Sequence, residues 1–300
     1  MLTTIFMGTP DIAVPALRVL AARTAVRVVI TQPDRPAGRG NRLTPPPVKV
    51  AAEQLGLPVW QPERVRDHED DPRLAGCDLA VVMAFGQILR QRVLDLPAHG
   101  CVNLHASLLP RWRGASPLQA ALRAGDAETG ISVMRMVRAC DAGPVYARHP
   151  LALPADATLP WLHDALADLA AAALDRFLAA WPPPAPEAQD EALVTHCGKL
   201  GTEQGRLDPA RPAADLARQI RAYTPAPGCW VPDGAERLRV LAGVDRPGSL
   251  ASGTWAAADD ALLLGTADGV LAITRLQSPG GKPLAAGDWL RGHPLPPSLV

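Results

Sequence analysis

The sequence predicts an α/β fold. A mostly parallel sheet with helices on both faces covers residues 1–188, and a small β-barrel covers 207–300. Three observations predict it. Short apolar, β-branched runs alternate with stretches of helical period through residue 181, and that alternation builds parallel sheets because each crossover helix packs back onto the sheet. Residues 182–186 read Pro-Pro-Pro-Ala-Pro and interrupt the pattern. Beyond 207, short β-like runs separated by Gly, Pro and Asp turns take over, as in small barrels.

Residues 2–7 and 26–31 are the first two strands. Between them, 10–22 carries Ile12, Leu17 and Leu20 at helical spacing. Pro10 sits at its start, where a missing N–H is harmless. A second helix is predicted at 48–55. Residues 79–85 form a continuous apolar run, the mark of a strand buried on both faces. Strand 101–105, helix 116–124 and strands 131–137 and 145–151 follow. Residues 159–181, rich in Ala and Leu, are long enough for about six helical turns. Residues 189–206 read as a linker, entered through a proline-stiffened stretch. In the tail, a helix at 213–222 precedes strands at 238–242, 253–256, 262–264 and 270–276.

Composition bounds the function. The chain has 300 residues, 48% hydrophobic and 20% charged, an ordinary globular balance and room for two domains. Its 25 Gly and 32 Pro stay below the ~25–30% share of low-complexity chains. The longest stretch without Asp, Glu, Lys or Arg, 96–110, contains Asn103, Ser107 and two histidines. A membrane span needs ~20 mostly apolar residues, so no membrane partner is predicted. Met1-Leu2-Thr3-Thr4 lacks the basic and apolar regions of a secretory signal, and a cytoplasmic protein is expected. Basic and acidic residues cancel at 30 each, so any nucleic acid must be held by a local patch. Cys77, Cys101, Cys140, Cys197 and Cys229 contain no C-x-x-C pair. They fit neither a disulfide framework nor a zinc site, and no metal is expected.

The chemistry concentrates in Asn103-Leu104-His105-Ala106-Ser107-Leu108-Leu109-Pro110-Arg111-Trp112-Arg113-Gly114. Asn103 and His105 are two apart on a strand, so their side chains share a face. Ligands of open α/β sheets bind beyond the carboxyl ends of strands, and an Asn beside a His there can donate two hydrogen bonds to one oxyanion. Asp141, in Cys140-Asp141-Ala142-Gly143-Pro144, falls in a turn between two strands, where a carboxylate can favour the imidazolium and orient it. Each residue alone also has a bland reading: a satisfied structural His, an ordinary Asp-Ala-Gly turn. Together, and without a Ser or Cys nucleophile, they favour direct attack by an amine on a bound acyl donor. Gly8-Thr9-Pro10 is not G-x-G-x-x-G, so no dinucleotide is expected. Arg35, Arg39 and Arg42 fall within eight residues that also hold Pro36, Gly38 and Gly40. This is a basic loop that cannot be a helix, and it is either solvated or a contact for phosphate. Trp112 suits a substrate stack or a core. Arg111 and Arg113 are either plainly solvated or, should the partner be an RNA, contacts for its 3′ end.

Asn103–Gly114 in this spelling, with Ala115-Ser116-Pro117-Leu118-Gln119, Gly125-Asp126-Ala127-Glu128-Thr129-Gly130 and Asp141-Ala142-Gly143, resembles the signature of formyltetrahydrofolate-dependent formyltransferases. Thr31-Gln32-Pro33-Asp34-Arg35-Pro36-Ala37-Gly38-Arg39-Gly40 and Pro46-Pro47-Val48-Lys49 are narrower. They resemble the basic loop of the family's methionyl-tRNA branch. Gly8-Thr9-Pro10-Asp11, Leu193-Val194-Thr195, Lys199-Leu200, Leu276-Gln277 and Gly281-Lys282 extend the likeness over nearly the whole chain.

The resemblance implies a Rossmann-like catalytic domain (1–188), a linker (189–206) and an OB-like tRNA-binding domain (207–300). It implies 10-formyltetrahydrofolate as co-substrate and initiator methionyl-tRNA as acceptor, with a monomer expected. It makes Asn103, His105 and Asp141 the catalytic set. Ser107, Leu108, Leu109 and Pro110 match the folate-contact segment. Phe85, Gly86, Gln87, Ile88 and Leu89 match the loop that receives the pterin. Arg35, Arg39, Arg42 and Lys49 match the RNA-binding loop. The tail is itself balanced, with nine basic and nine acidic residues from 207 to 300. Arg275 and Lys282 are its candidates for RNA contact. Three rivals remain: an amino-sugar-nucleotide formyltransferase that would use the same Asn103, His105 and Asp141, a formyltetrahydrofolate hydrolase and a silent RNA- or folate-binding module. The arginine loop and Gln119 favour tRNA over the sugar. The loop and the barrel-like tail disfavour the hydrolase, and the complete Asn/His/Asp set disfavours the silent module.

Overall fold

The computed structural model describes residues 1–37 and 40–299. It divides the chain into two compact units, one of residues 1–117, 128–152 and 163–197, the other of residues 118–127, 153–162 and 198 onward.

In chain order the first unit holds β1 (Thr3–Gly8), α1 (Val14–Arg23), β2 (Ala25–Ile30), β3 (Arg35–Ala37), β4 (Arg42–Thr44), α2 (Pro47–Gln54), β5 (Val59–Trp60), β6 (Leu79–Met83), α3 (Gln91–Asp95), β7 (Cys101–His105) and β8 (Arg113–Gly114). Then come α4 (Pro117–Ala124), mainly in the second unit, β9 (Glu128–Arg135), β10 (Val145–Ala152), α5 (Leu159–Ala179) and β11 (His196–Cys197). Seven strands form one sheet in the order β10-β9-β7-β6-β1-β2-β5. Pairs β5–β2, β2–β1, β1–β6 and β6–β7 are parallel. The edge strands β9 and β10 are antiparallel.

All five residues of β6 are buried, as a strand in the middle of a covered sheet requires. One face carries Ile5, Met7, Val28, Ile30, Ala80, Val82 and Cys101, packed against Val65, Leu74, Phe85, Leu89, Val93 and Leu94. Full burial of each large member is worth about 1.5–3 kcal/mol. Residues 103 and 105 follow Cys101 at period two, so Asn103 and His105 lie on this face at the carboxyl end of β7. The strand order reverses across β1 and β6, and that switch point is where open α/β sheets leave a crevice for ligands.

The predicted elements recur with shifts of a few residues, but several features differ from the sequence reading. The run 79–85 is not all strand: β6 stops at Met83, and Ala84 turns the chain out at φ 48°. The basic loop is partly ordered, because β3 and β4 pair as Arg35↔Thr44, Pro36↔Leu43 and Ala37↔Arg42. Arg39 lies outside the described residues. The stretch 189–206 divides, with 189–197 belonging to the first unit. There β11 pairs in parallel with β8.

The second unit adds α6 (Ala213–Tyr223), β12 (Cys229–Asp233), β13 (Glu236–Arg246), β14 (Trp255–Ala257), β15 (Leu262–Gly265), β16 (Val270–Gln277), β17 (Leu284–Ala285) and α7 (Ala286–Leu290). Its antiparallel sheet runs β12-β13-β16-β15-β14, with β17 on β16. Register shifts at Val240 and Ala242 bend β13, and bulges of this kind curl a sheet into an OB-like half-barrel. Among the described residues β12 and β14 do not pair, so the curl stays open. Strand β12 and the pair β17–α7 had no signal in the periodicity. Among the described residues no helix is long and apolar enough to cross a membrane.

Candidate active site

Strand β7 delivers Asn103 and His105 to the crevice. Asn103 sits in register between Val82 and Met134. It is half-buried, and its amide makes no side-chain hydrogen bond to the described residues. His105 is buried. Its Nε2 lies 2.9 Å from the Trp112 carbonyl oxygen. A carbonyl only accepts, so Nε2 carries the proton. Its Nδ1 lies 3.6 Å from Asp141 Oδ1, an ion-pair distance longer than a hydrogen bond. The ring is therefore pinned on one side and open to a proton on the side of the carboxylate.

Asp141 occupies the turn between β9 and β10 in a left-handed conformation, φ 52°. Its Oδ2 accepts from Gly114 N at 2.9 Å and from Cys140 Sγ at 3.3 Å. Burial, then the neighbouring Asp141 charge, pushes the Cys140 thiol up to about 11, so it is not a nucleophile near neutral pH. Two glycines frame the turn. A Cβ on Gly114 would come within 2.0 Å of the Cys197 carbonyl, and one on Gly143 within 1.8 Å of the Arg135 carbonyl. Only glycine permits these approaches. The positive-φ residues Ala84, Trp112 and Asp141 all border this site, and strain of that kind persists where the surroundings impose it.

The Ser-Leu-Leu-Pro segment is built inward. Ser107 Oγ donates to the Arg111 carbonyl at 2.6 Å, and Ser132 Oγ donates to the Ser107 carbonyl at 2.7 Å. Leu109 is buried against Met134 and Val145, its N–H bonds Ser132 Oγ, and its carbonyl accepts from Arg148. Leu108 and Pro110 are half-buried. The 85–89 loop divides in the same way. Phe85 and Leu89 face the core, and Ile88 is 83% exposed. Gln87 is committed to Val65 N and to the Pro62 and Glu63 carbonyls. Thr9 and Gln32, to which the sequence reading gave no separate role, both donate to the Phe85 carbonyl and anchor the loop to the ends of β1 and β2.

Lys49 is occupied. Its Nζ bonds both Asp34 oxygens, at 2.9 and 2.8 Å, and Gln61 joins them. Hydrogen bonds from Lys49 and Gln61 lower the Asp34 pKa. This pair ties the hairpin base to α2 and takes Lys49 out of free contact with a phosphate. Arg35 is exposed and paired with Glu63 at 2.9 Å. Arg42 is exposed. Arg113 is neither solvated nor available to RNA. It is buried, its Nε bonds Gln189 Oε1, and its two Nη atoms bond Glu191. Arg111 lies over the Trp112 ring at 4.4 Å, so that ring is neither bare nor buried core. In the tail, Arg275 and Lys282 are exposed. Among the described residues no group of three His, Cys, Asp or Glu side chains could hold a metal ion.

Residues Gln189, Glu191 and Thr195 complete the site, and sequence reasoning missed their part. Thr195 Oγ1 accepts from Trp112 N, and the Thr195 carbonyl accepts from Arg113 N. The one available signal was Leu193-Val194-Thr195, a piece of the family likeness inside an apparent linker.

Residues 5–178 match the formyl transferase family model, and residues 199–294 match that of the formyl transferase C-terminal domain. The methionyl-tRNA formyltransferase of Halorhodospira halophila is 48% identical, covering 98% of this chain and 97% of that protein. That of Chromobacterium violaceum is 46% identical, covering 97% of each. Among solved structures, the N-formyltransferase of Helicobacter canadensis, in complex with folinic acid and dTDP-3-aminofucose, has a TM-score of 0.69. It is 12% identical, with 91% of this chain and 99% of that one covered. At that identity the likeness concerns the fold.

Proposed function

The chain belongs to the methionyl-tRNA formyltransferases of the formyl transferase family, and from that premise we propose its reaction. It transfers the formyl group of 10-formyltetrahydrofolate to the α-amine of methionine on initiator tRNA, which readies that tRNA for translation initiation. The observation that carries this reading is likeness to methionyl-tRNA formyltransferases along both the catalytic segment and the tail.

In our reading the attacking amine must be neutral. A free α-amino group has a pKa of about 7.7–8.0. In an aminoacyl ester the adjacent carboxylate charge is gone, so much of the amine is free base near neutral pH. Attack on the formyl carbon gives a tetrahedral centre with a negative oxygen. Asn103, whose amide is uncommitted, donates to that oxygen, a contact worth about 2.7–4 kcal/mol of barrier. His105 donates the second bond from Nε2 when the ligand displaces the Trp112 carbonyl. His105 Nδ1, which faces Asp141 at 3.6 Å, accepts the proton lost by the amine, and the carboxylate stabilises the imidazolium that results. The oxyanion then collapses and the bond from the formyl carbon to the folate nitrogen breaks. That nitrogen leaves as tetrahydrofolate with the proton the imidazolium returns.

The pterin is held by the backbone of the 84–89 loop beside Ile88, with Leu108 and Pro110 as the contact surface of the next segment. The committed side chains of Phe85, Gln87, Leu89, Ser107 and Leu109 shape the walls behind. Arg35, Arg39 and Arg42 contact the acceptor end of the RNA, where a planar guanidinium pairs with phosphate or stacks on a base. The first unit, which ends at residue 197, carries catalysis and 207–300 grip RNA, in a cytoplasmic monomer.

The test incubates the protein with 10-formyltetrahydrofolate and methionyl initiator tRNA, an amino-sugar nucleotide, or buffer. Formyl-methionine on tRNA is the expected product. Formylated sugar, or release of formate without an acceptor, overturns the reading.

A further inference from the structure

Asp141 is held from two sides. At its carboxylate, Gly114 N donates to Oδ2. At its backbone, Gln189 Nε2 donates to the Asp141 carbonyl at 2.8 Å and to the Gly143 carbonyl at 2.7 Å. One amide nitrogen has two hydrogens, and both are used here. Gln189 is buried. Its orientation is fixed because Oε1 accepts from Arg113 Nε at 2.9 Å. A flipped amide would set an oxygen against two carbonyls and a nitrogen against a guanidinium. Arg113 is fixed in turn by Glu191, at 2.7 and 3.2 Å to its two oxygens. Arg113 adjoins Gly114, so the same guanidinium braces both grips on Asp141.

We propose that Gln189 is a positioning residue for formyl transfer. It clamps the left-handed turn that aims the Asp141 carboxylate at His105 Nδ1, and the Arg113–Glu191 pair keeps its amide in the orientation that does so. The proposal rests on the reading of His105 and Asp141 as the reacting pair. Nothing in it requires Gln189 to touch either substrate.

A mere structural strut and a positioning residue differ in what their loss does. Gln189→Glu keeps the length of the side chain and an acceptor for Arg113, so the fold is retained, but it removes both donations to the turn. Gln189→Ala is the second variant. In the full-length enzyme, both should lower kcat for methionyl-tRNA formylation by about 10- to 100-fold. KM for 10-formyltetrahydrofolate should stay within about twofold, and the acidic limb of the kcat/KM profile should move. In an Asp141→Asn background, Gln189→Glu should change kcat by less than about twofold, because residues acting as one unit are not additive. Three results would overturn the proposal: full activity in both variants, losses that multiply in the double variant, or kcat and KM failing together in step with the melting temperature. If wild type forms no formyl-methionine, the reading beneath has failed and the proposal falls with it. If wild type is active and the variants match it, only the proposal falls.

Discussion

Asn103 and His105 occupy alternate positions of one strand, yet their surroundings differ. The Asn103 amide makes no side-chain hydrogen bond to the described residues, while His105 Nε2 already donates to Trp112. Asn103→Ala should therefore lower kcat by about 10²–10³-fold, with the Kd for formyl-folate within about twofold. Steady-state kinetics beside calorimetry checks this, and equal losses in both would argue against an oxyanion contact. The pair was legible in the sequence because polar residues interrupt what should be a buried strand. The occupant of Nε2 was not, since a backbone carbonyl seven residues away leaves no mark in side-chain pattern. Cys140 offers a reporter on Asp141. With its thiol at about 11, alkylation by iodoacetamide should be slow at pH 8 and rise about tenfold per pH unit toward 11. Asp141→Asn removes a negative neighbour, so it should lower that pKa and speed labelling at pH 8. A rate that levels off below pH 10 in wild type would contradict the assignment.

Among the elements, six of the sheet's seven strands were legible because period and composition report burial directly. Two-residue β5 and five-residue α3 are too short to show a period and were missed. The segment from 187 to 197 was not, because its structure lies in side-chain and backbone bonds to distant loops rather than in any period. Gln189 reaches 48 residues back to Asp141, and Glu187 exchanges two backbone bonds with Val145. Gly114→Ala tests how tightly this segment lies against β8. A methyl group there meets the Cys197 carbonyl, at a residue with φ 123°. It should cost about 2–4 kcal/mol, read by urea denaturation, and should depress turnover in step. The β3–β4 hairpin was legible as basic and non-helical but not as paired strands, since Pro and Gly masked its short ladder. Replacing Arg35, Arg39 and Arg42 with alanine should raise KM for tRNA by at least tenfold and leave folate affinity unchanged. Unaltered kinetics on tRNA would remove the hairpin from RNA contact.

For the molecule as a whole, zero net charge means that no global field draws in a polyanion. Local arginines must supply the attraction, and few phosphates are then neutralised. A plot of log kcat/KM for tRNA against log salt should be shallow, with a slope near −2 to −4 for three or four contacts. Transfer to a small uncharged amine acceptor should hardly respond to salt. A slope beyond −6 would call for a larger basic surface than the one described. The division into two units was legible in the change from long helices to short strands. The point of division was not, because residues with a linker's composition complete the first unit. That arrangement sets a schedule for biosynthesis. A ribosome adding about 5–20 residues per second delivers Asp141 roughly 2–10 s before the glutamine that steadies it. Until residue 197 has left the exit tunnel, a nascent chain can assemble its sheet but not a finished catalytic centre, and formyl transfer to a small amine by stalled chains of graded length would date the moment of completion.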